Sequence, residues 1–297
     1  MTDLNASLNF CLRAGRFAND LTILSRPLAA ICAGAELIVG AHLTCHRDRA
    51  GAGEVLMLRE GIAIVLITAS INVVNDIRDI RADAISRPTR PLPAGRLSTA
   101  VAGWLAAVQA ASAVLLSIDV PYGMAVAILL LSIGFAYSFV LKGTVLLGNL
   151  VVAAMAASPL VYGGYLGRVQ PLPTIIASAI VFAFMFAFEV LKTIRDVRAD
   201  YAAGYRTVAT EWGTGAAAAI FRLSLTAYVV AAATPVVLGS VSAYYVVFMG
   251  LGAVVPSCVV GWHFPVGRSA IAVTPVLRVM TISWIPGIFA LILAAKS

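Results

Sequence analysis

Charged side chains are scarce in this sequence of 297 residues. Only 12% of the residues are charged, whereas soluble domains carry about 25%. The four cysteines show no CxxC spacing, and we interpret them as small apolar residues. The scarcity of charge, with 61% hydrophobic residues and a mean hydropathy of +0.94, excludes an ordinary soluble domain and predicts a polytopic membrane protein.

The net charge of +7 does not indicate a nucleic-acid partner, because the basic residues are not clustered in a soluble domain. They separate apolar runs instead. This arrangement is typical of residues that set membrane topology, and it fits a phosphate-bearing substrate.

Long apolar runs account for most of the chain, and a membrane-spanning helix needs roughly 20 such residues. We predict one all-α membrane domain over residues 1–297 with nine transmembrane helices. The predicted spans are about 21–45, 57–77, 98–117, 121–141, 145–166, 173–192, 215–237, 241–261 and 272–294.

The connectors after spans 2, 4, 6 and 8 hold most of the lysines and arginines, whereas the opposite connectors are nearly bare apart from the first. By the positive-inside rule, this bias places the N-terminus inside. We therefore expect an integral protein of the plasma (inner) membrane, with the connectors after spans 2 and 6 on the cytoplasmic side.

Acidic residues are concentrated where two of these spans end. Residues 77–83 read IRDIRAD after one apolar run, and residues 194–200 read IRDVRAD after another, so six of seven positions match. Asp79 with Asp83, and Asp196 with Asp200, are spaced i,i+4, which places each pair on one helix face about 6 Å apart at Cβ.

Paired carboxylates repel each other when they are partly buried, and a divalent cation relieves this repulsion. A few carboxylates, with waters and substrate phosphate, are the usual ligands of Mg²⁺. If the two helix ends face one cavity, the two motifs could hold a diphosphate through Mg²⁺.

The two motifs lie 117 residues apart, a separation of four spans. We therefore predict two four-helix pseudo-repeats, about 21–141 and 145–261, plus one helix. Equivalent helix ends would then face one another. The segment SRPTRPLPAGRLS after the first motif contains three prolines and is predicted to be an ordered loop over the site, with arginines directed at phosphate or lipid headgroups.

These residues resemble the UbiA superfamily of intramembrane prenyltransferases. The resemblance rests on four features: Asn75-x-x-x-Asp79-x-x-x-Asp83, the following RPTRPLPAG, the later Asp196-x-x-x-Asp200, and Tyr137-Ser138 leading to Lys142. Within the superfamily the chain looks more like the branch that prenylates glycerol-phosphate lipids, homogentisate or chlorophyllide than like the branch that prenylates 4-hydroxybenzoate. That branch often has Asp where this chain has Thr193, which argues against a three-carboxylate second site.

The resemblance implies a bundle of nine transmembrane helices with a central cavity that is open laterally to lipid. It also implies an Mg²⁺-dependent transfer of a prenyl group from an isoprenyl diphosphate to a hydrophobic or amphipathic acceptor. It implies that Asn75, Asp79 and Asp83 hold one Mg²⁺ and that Asp196 and Asp200 hold another. Asp76 would be a supporting ligand.

Cleavage of the carbon–oxygen bond to diphosphate leaves negative charge that cations stabilise. The candidate cations are Arg26, which resembles an arginine at that place in the family, and Lys142, Lys192 and Arg206. Tyr137 would place the diphosphate or screen the carbocation. Two residues inside apolar spans complete the predicted set, Glu189 near the second motif and Asn72 three residues before Asn75.

Two alternatives remain at this stage. A terpene cyclase on the same scaffold would quench the carbocation within its own substrate. A transporter would also have internal repeats, but its charges would be expected near the midplane, whereas these lie at helix ends. The prenyltransferase is the leading hypothesis.

Overall fold

The regular secondary structure of the protein is helical throughout the part that the structure describes. The structure is a computed structural model, and it describes residues 2–43, 52–168, 171–239, 241–264 and 272–294. Within these ranges there is no strand, which confirms the predicted all-α class.

The helices follow one another with short connectors. They are α1 (Thr2–Ser25), α2 (Pro27–His42), α3 (Ala52–Arg78), α4 (Ile80–Ser86), α5 (Thr99–Leu116), α6 (Gly123–Ala136), α7 (Leu147–Leu166), α8 (Pro171–Ala203), α9 (Val208–Glu211), α10 (Gly213–Val237), α11 (Ala243–Tyr245), α12 (Val255–Trp262) and α13 (Val273–Ile292). Two π-helical segments, Tyr137–Leu141 after α6 and Val246–Val254 between α11 and α12, continue neighbouring helices.

The number of membrane spans agrees with the sequence. In the described ranges eight helices are long and apolar enough to cross a membrane, and α1 with α2 makes a ninth if this bent pair is one span. The prediction of an unbroken first span over 21–45 was wrong. The chain bends by 49° at Arg26, whose φ is 47°, because Pro27 begins α2 and cannot continue the hydrogen bonding of α1.

Of the two helices that carry the acidic motifs, α3 ends at Arg78, one residue from its predicted end at 77, whereas α8 extends well beyond its predicted end. The helix of the first motif is interrupted at Asp79, which is the N-cap of α4. The helix of the second motif is not interrupted, since α8 runs past the predicted end at 192 as far as Ala203. The first motif therefore spans a break between two helices, whereas the second lies on one continuous helix.

Small residues allow α2 to pack closely between α3 and α7. A Cβ on Gly163 would lie 1.9 Å from the carbonyl oxygen of Leu37, and one on Gly40 would lie 2.1 Å from that of Leu160. The buried core lies mainly around α8, α10 and α13, where the rings of Phe184 and Trp284 stack with centroids 4.5 Å apart.

Candidate active site

The three aspartates of the first motif are buried at the end of α3 and in α4. Asp76, Asp79 and Asp83 are 2%, 4% and 2% exposed, respectively. Carboxylates at such depth need cationic or hydrogen-bonding partners. The partners come from several distant parts of the chain.

Asp79 is held by residues from three separate segments. Lys142 forms an ion pair with its Oδ2, to which the Asn75 amide also donates a hydrogen bond of 3.0 Å. The Tyr205 hydroxyl donates to Oδ1 at 3.2 Å. Burial and the adjacent Asp79 carboxylate raise the pKa of Tyr205 to about 12, so its hydroxyl keeps its proton at neutral pH.

Asp76 and Asp83 share Arg90 of the proline-rich loop. Its Nη1 lies 3.0 Å from Asp76 Oδ1 and 2.7 Å from Asp83 Oδ2. Arg26, at the bend between α1 and α2, pairs with the same oxygen of Asp76. The loop after the first motif is therefore ordered over the site, as predicted, and Arg90 is directed at the aspartates.

The second motif lies against the first. Arg87 donates from Nη1 to Asp83 and from Nη2 to Asp196, both at 3.0 Å, so one guanidinium joins the two motifs. Asp200 is 9% exposed and lies within electrostatic range of Asp79 and Lys142. Helix α4 packs directly on α8. The two motifs therefore face a common site.

A π-helical turn places Tyr137 and Lys142 beside the first motif. This segment begins at Tyr137, and the Lys142 amide donates to the Tyr137 carbonyl at 2.9 Å. Lys142 follows it, with Nζ 3.4 Å from Asn75 Oδ1. π-helical turns inside longer helices occur frequently at functional sites because they redirect side chains.

An apolar chamber of about 370 Å³ extends from this site into the bundle. Aliphatic and aromatic side chains form most of its wall, including Phe184, Phe188 and Trp284. The predicted residues that line it are Arg26, Asn72, Asn75, Tyr137, Glu189 and Lys192. Such a chamber suits a hydrocarbon chain with its polar end at the motifs.

Two of these residues, Lys192 and Glu189, pair with each other, whereas Asn72 has a buried amide nitrogen without a partner among the described residues. Lys192 Nζ lies 2.7 Å from Glu189 Oε1, so the pair neutralises itself at the chamber wall. The Nδ2 atom of Asn72 is buried and has no hydrogen-bond partner in the described part of the chain. It therefore remains free to donate to a bound molecule.

The structure corrects the prediction for Arg206 and agrees with the interpretation of Thr193. The side chain of Arg206 is 70% exposed and pairs with Glu211 at 3.3 Å, so the expectation that it reaches the diphosphate is corrected: its neighbour Tyr205 turns inward instead. The Thr193 hydroxyl donates to the Val190 carbonyl at 2.8 Å. It is occupied within its own helix and adds no ligand to the second motif.

Sequence reasoning missed the specific roles of several residues. It treated Arg87 and Arg90 only as part of a basic loop, and it did not single out Tyr205, which no motif marks. It also left Glu36 out of the predicted set of site residues. Glu36 is 4% exposed and lines the chamber. Only its position within an apolar run indicated that it was unusual.

The chemistry of the donors fits Mg²⁺, although arginine and lysine now engage them. Carboxylate and amide oxygens are the ligands that this ion prefers. Asp76 Oδ2 is buried with no hydrogen-bond partner among the described residues. In the same ranges no three Asp, Glu, His or Cys side chains converge as a ready ligand set. A metal ion at these carboxylates would compete with Arg87, Arg90 and Lys142 for their oxygens.

The fold and the site together define a class: a multi-pass helical membrane protein with two facing aspartate motifs above an apolar chamber. The sequence profile described as the UbiA prenyltransferase family matches residues 47–269. The chain belongs to this family.

Known relatives agree with this assignment. The digeranylgeranylglyceryl phosphate synthase of Methanoculleus marisnigri is 34% identical over 187 residues, which cover 62% of this chain and 65% of the relative. The aligned part thus spans just under two thirds of that relative.

Solved structures show the same fold. The apo UbiA homologue from Aeropyrum pernix K1 matches with a TM-score of 0.71 and 20% identity, covering 89% of this chain and 98% of the other. A UbiA homologue from Archaeoglobus fulgidus bound to GPP and Mg²⁺ matches with a TM-score of 0.67 and 18% identity, covering 92% and 99%.

Proposed function

We propose that the chain transfers a prenyl group from an isoprenyl diphosphate to a hydroxyl group of a phosphate-bearing glycerol lipid. The observation that carries this proposal is the Arg87 bridge, which joins both aspartate motifs. Asn75 of the first motif also lines the apolar chamber. The relative's name supports the acceptor class, because digeranylgeranylglyceryl phosphate contains two geranylgeranyl groups on glyceryl phosphate.

Mg²⁺ would be held by Asn75, Asp79 and Asp83 from the first motif and by Asp196 and Asp200 from the second. The A. fulgidus homologue bound to GPP and Mg²⁺ supports this choice of ion. When bound, the ion neutralises the charge of the diphosphate and makes it a better leaving group.

The cationic side chains at the site act on the same leaving group. Lys142, Arg87 and Arg90 are each 20–29% exposed, so their cationic groups are accessible to diphosphate oxygens. Arg26 and Lys192 line the chamber mouth and hold the diphosphate end there. Their charge stabilises the departing oxygen as the allylic carbon becomes positive.

The apolar chamber protects the allylic cation, the other product of ionisation, from water. Its aromatic wall excludes water, which would otherwise capture the allylic cation as an alcohol. Tyr137, at the boundary between the motifs and the chamber, faces the reacting carbon. The acceptor hydroxyl then attacks this carbon and forms the ether bond, and its proton passes to the departing diphosphate.

We place both motifs on the cytoplasmic side, because the connectors that carry them hold most of the basic residues. Soluble diphosphates and Mg²⁺ are available on that side.

Product analysis tests the proposal. Purified protein is incubated with geranylgeranyl diphosphate and Mg²⁺, with and without geranylgeranylglyceryl phosphate, and products are identified by mass. We expect an ether product of both substrates and none without acceptor. A cyclic hydrocarbon formed without acceptor would instead establish a terpene cyclase, and a free alcohol as sole product in both arms would contradict prenyl transfer.

A further inference from the structure

Arg78, the last residue of α3, is an exposed arginine that no carboxylate neutralises. Within the residues that the structure describes it forms no ion pair, and its side chain makes no hydrogen bond. The carboxylate that follows it, Asp79, pairs with Lys142 instead. Arg78 therefore keeps an uncompensated positive charge beside the first motif.

The equivalent arginine of the second motif is neutralised. Arg195 has the position in IRDVRAD that Arg78 has in IRDIRAD. Its Nε and Nη2 donate to the two carboxylate oxygens of Asp196, at 2.7 and 2.6 Å. The two repeats therefore differ at this position: the arginine is paired in the second motif and available in the first.

An exposed aromatic ring supports the Arg78 guanidinium. The Cζ atom of Arg78 lies 5.0 Å from the centroid of the Phe139 ring. Phe139 is 57% exposed and belongs to the π-helical segment Tyr137–Leu141, which directly precedes Lys142. A cation–π contact restrains the guanidinium without occupying its N–H donors. Those donors have the planar arrangement that binds two oxygens of one phosphate group.

Arg78 lies just outside the apolar chamber. Asn75, three residues earlier, lines the chamber, and three residues correspond to about 4.5 Å of helix. The Tyr205 hydroxyl, which donates to Asp79 at 3.2 Å, lies 3.5 Å from the Arg78 carbonyl oxygen. A glycerol phosphate lipid carries its hydroxyl and its phosphate on the same three-carbon unit. When that hydroxyl reaches the allylic carbon, the phosphate must therefore lie close to the motifs.

We propose that Arg78, held over Phe139, binds the phosphate group of the acceptor and so selects phosphate-bearing acceptors over neutral ones. This inference rests on the proposed function and adds the residue that recognises the acceptor. The cations that contact the aspartates would serve the donor diphosphate, so each substrate would have its own cationic partner. Anionic headgroups of membrane lipids offer the same chemistry, and a test must separate these two sources.

Steady-state kinetics of a charge-removing variant test the inference. Arg78→Gln removes the charge, and Arg198→Gln is the matched control, because Arg198 is exposed on α8 and forms no ion pair among the described residues. Activity is measured in neutral detergent with geranylgeranyl diphosphate and geranylgeranylglyceryl phosphate. We expect Arg78→Gln to raise the KM for the acceptor about 10-fold or more, with the donor KM and kcat changed less than about 2-fold.

Phe139→Leu keeps an apolar side chain but removes the ring, and it should raise the acceptor KM about 2- to 5-fold. Arg198→Gln should behave like the wild type. An unchanged acceptor KM in Arg78→Gln, or an equal rise for donor and acceptor, would overturn the inference.

Binding of a probe gives an answer that does not depend on turnover. Lysophosphatidic acid, a single-chain glycerol phosphate, is titrated onto the wild type and both arginine variants in neutral detergent micelles, with phosphatidylglycerol as the comparison lipid. Microscale thermophoresis measures the Kd. We expect Arg78→Gln to raise the Kd for lysophosphatidic acid about 10-fold and to leave that for phosphatidylglycerol unchanged.

An unchanged Kd for lysophosphatidic acid would overturn the inference. Equal weakening for phosphatidylglycerol would also overturn it, because Arg78 would then be a general contact for lipid headgroups. If binding of lysophosphatidic acid depends on Arg78 but the wild type forms no ether product, only the proposed function is contradicted.

Discussion

Arg87 and Asp196, 109 residues apart in the chain, form an ion pair at 3.0 Å. This pair ties the proline-rich loop that follows the first motif to the second motif on α8. Because Arg87 also contacts Asp83, it compensates carboxylate charge from both motifs at once. A metal cation bound between Asp83 and Asp196 would compensate the same two charges.

Removal of Arg87 should destabilise the metal-free protein. In Arg87→Ala, Asp83 and Asp196 lose a shared cationic partner, and we expect a loss of about 1–3 kcal/mol in the free energy of unfolding. Mg²⁺ should restore part of this lost stability, so the rise in Tm on adding Mg²⁺ should be larger for Arg87→Ala than for the wild type. Thermal unfolding in detergent measures both values.

Arg81→Ala is the control for this experiment, since Arg81 is exposed on α4 and makes no ion pair within the described ranges. Its Tm should remain close to that of the wild type. Equal Mg²⁺-dependent shifts in all three proteins would show that Arg87 does not stand in for the metal.

The hydroxyl of Tyr205 should strengthen metal binding by orienting Asp79. Tyr205→Phe removes the hydrogen bond to Oδ1 together with a longer one of 3.5 Å to the Arg78 carbonyl. Loss of an orienting bond to a metal ligand typically weakens metal affinity about 10- to 100-fold. We expect the Mg²⁺ concentration for half-maximal activity to rise by about that factor, with kcat at saturating Mg²⁺ largely kept. Tyr201→Phe, at a side chain that is 79% exposed, should behave like the wild type.

The close contact of α2 with α7 should depend on Gly163. A Cβ there would meet the Leu37 carbonyl at 1.9 Å, so Gly163→Ala must separate the helices, and we expect a loss of about 1–3 kcal/mol or more. Gly103→Ala is the control, because a Cβ at Gly103 meets nothing within 4 Å. A Tm for Gly163→Ala equal to that of Gly103→Ala would show that the two helices move apart at no cost.

The sequence predicted the spans well because apolar runs of sufficient length have only one stable use in a bilayer. It also predicted that Asp79 and Asp196 belong to one site, because the repeated motif lies at the ends of the second and sixth predicted spans. The bend at Arg26 was missed, although Ser25-Arg26-Pro27 interrupts the apolar run there, because the apolar residues on either side were treated as one span. Only Pro27 marks the position, and a proline at that point is also compatible with a helix start.

The ion-pair partners of the aspartates could not be predicted in detail. Arg87, Arg90 and Arg96 occur in the same loop, yet Arg96 pairs with Asp20 on α1 while the other two contact the motifs. Which aspartate each arginine contacts depends on how the loop turns after Pro88, and the spacing of residues in the sequence does not determine that turn. Tyr205 was missed for a similar reason: its position follows from the end of α8 at Ala203, eleven residues beyond the predicted end of that span.

The central claim is that two aspartate motifs, remote in sequence, act together on one diphosphate. The most direct test is release of pyrophosphate from geranylgeranyl diphosphate by purified protein with Mg²⁺ and acceptor, comparing the wild type with Asp79→Ala, Asp196→Ala and the double variant. Each single change should abolish most of the release, and the double variant should be little worse than either, because both motifs serve the same step. Full release by the double variant would contradict the account.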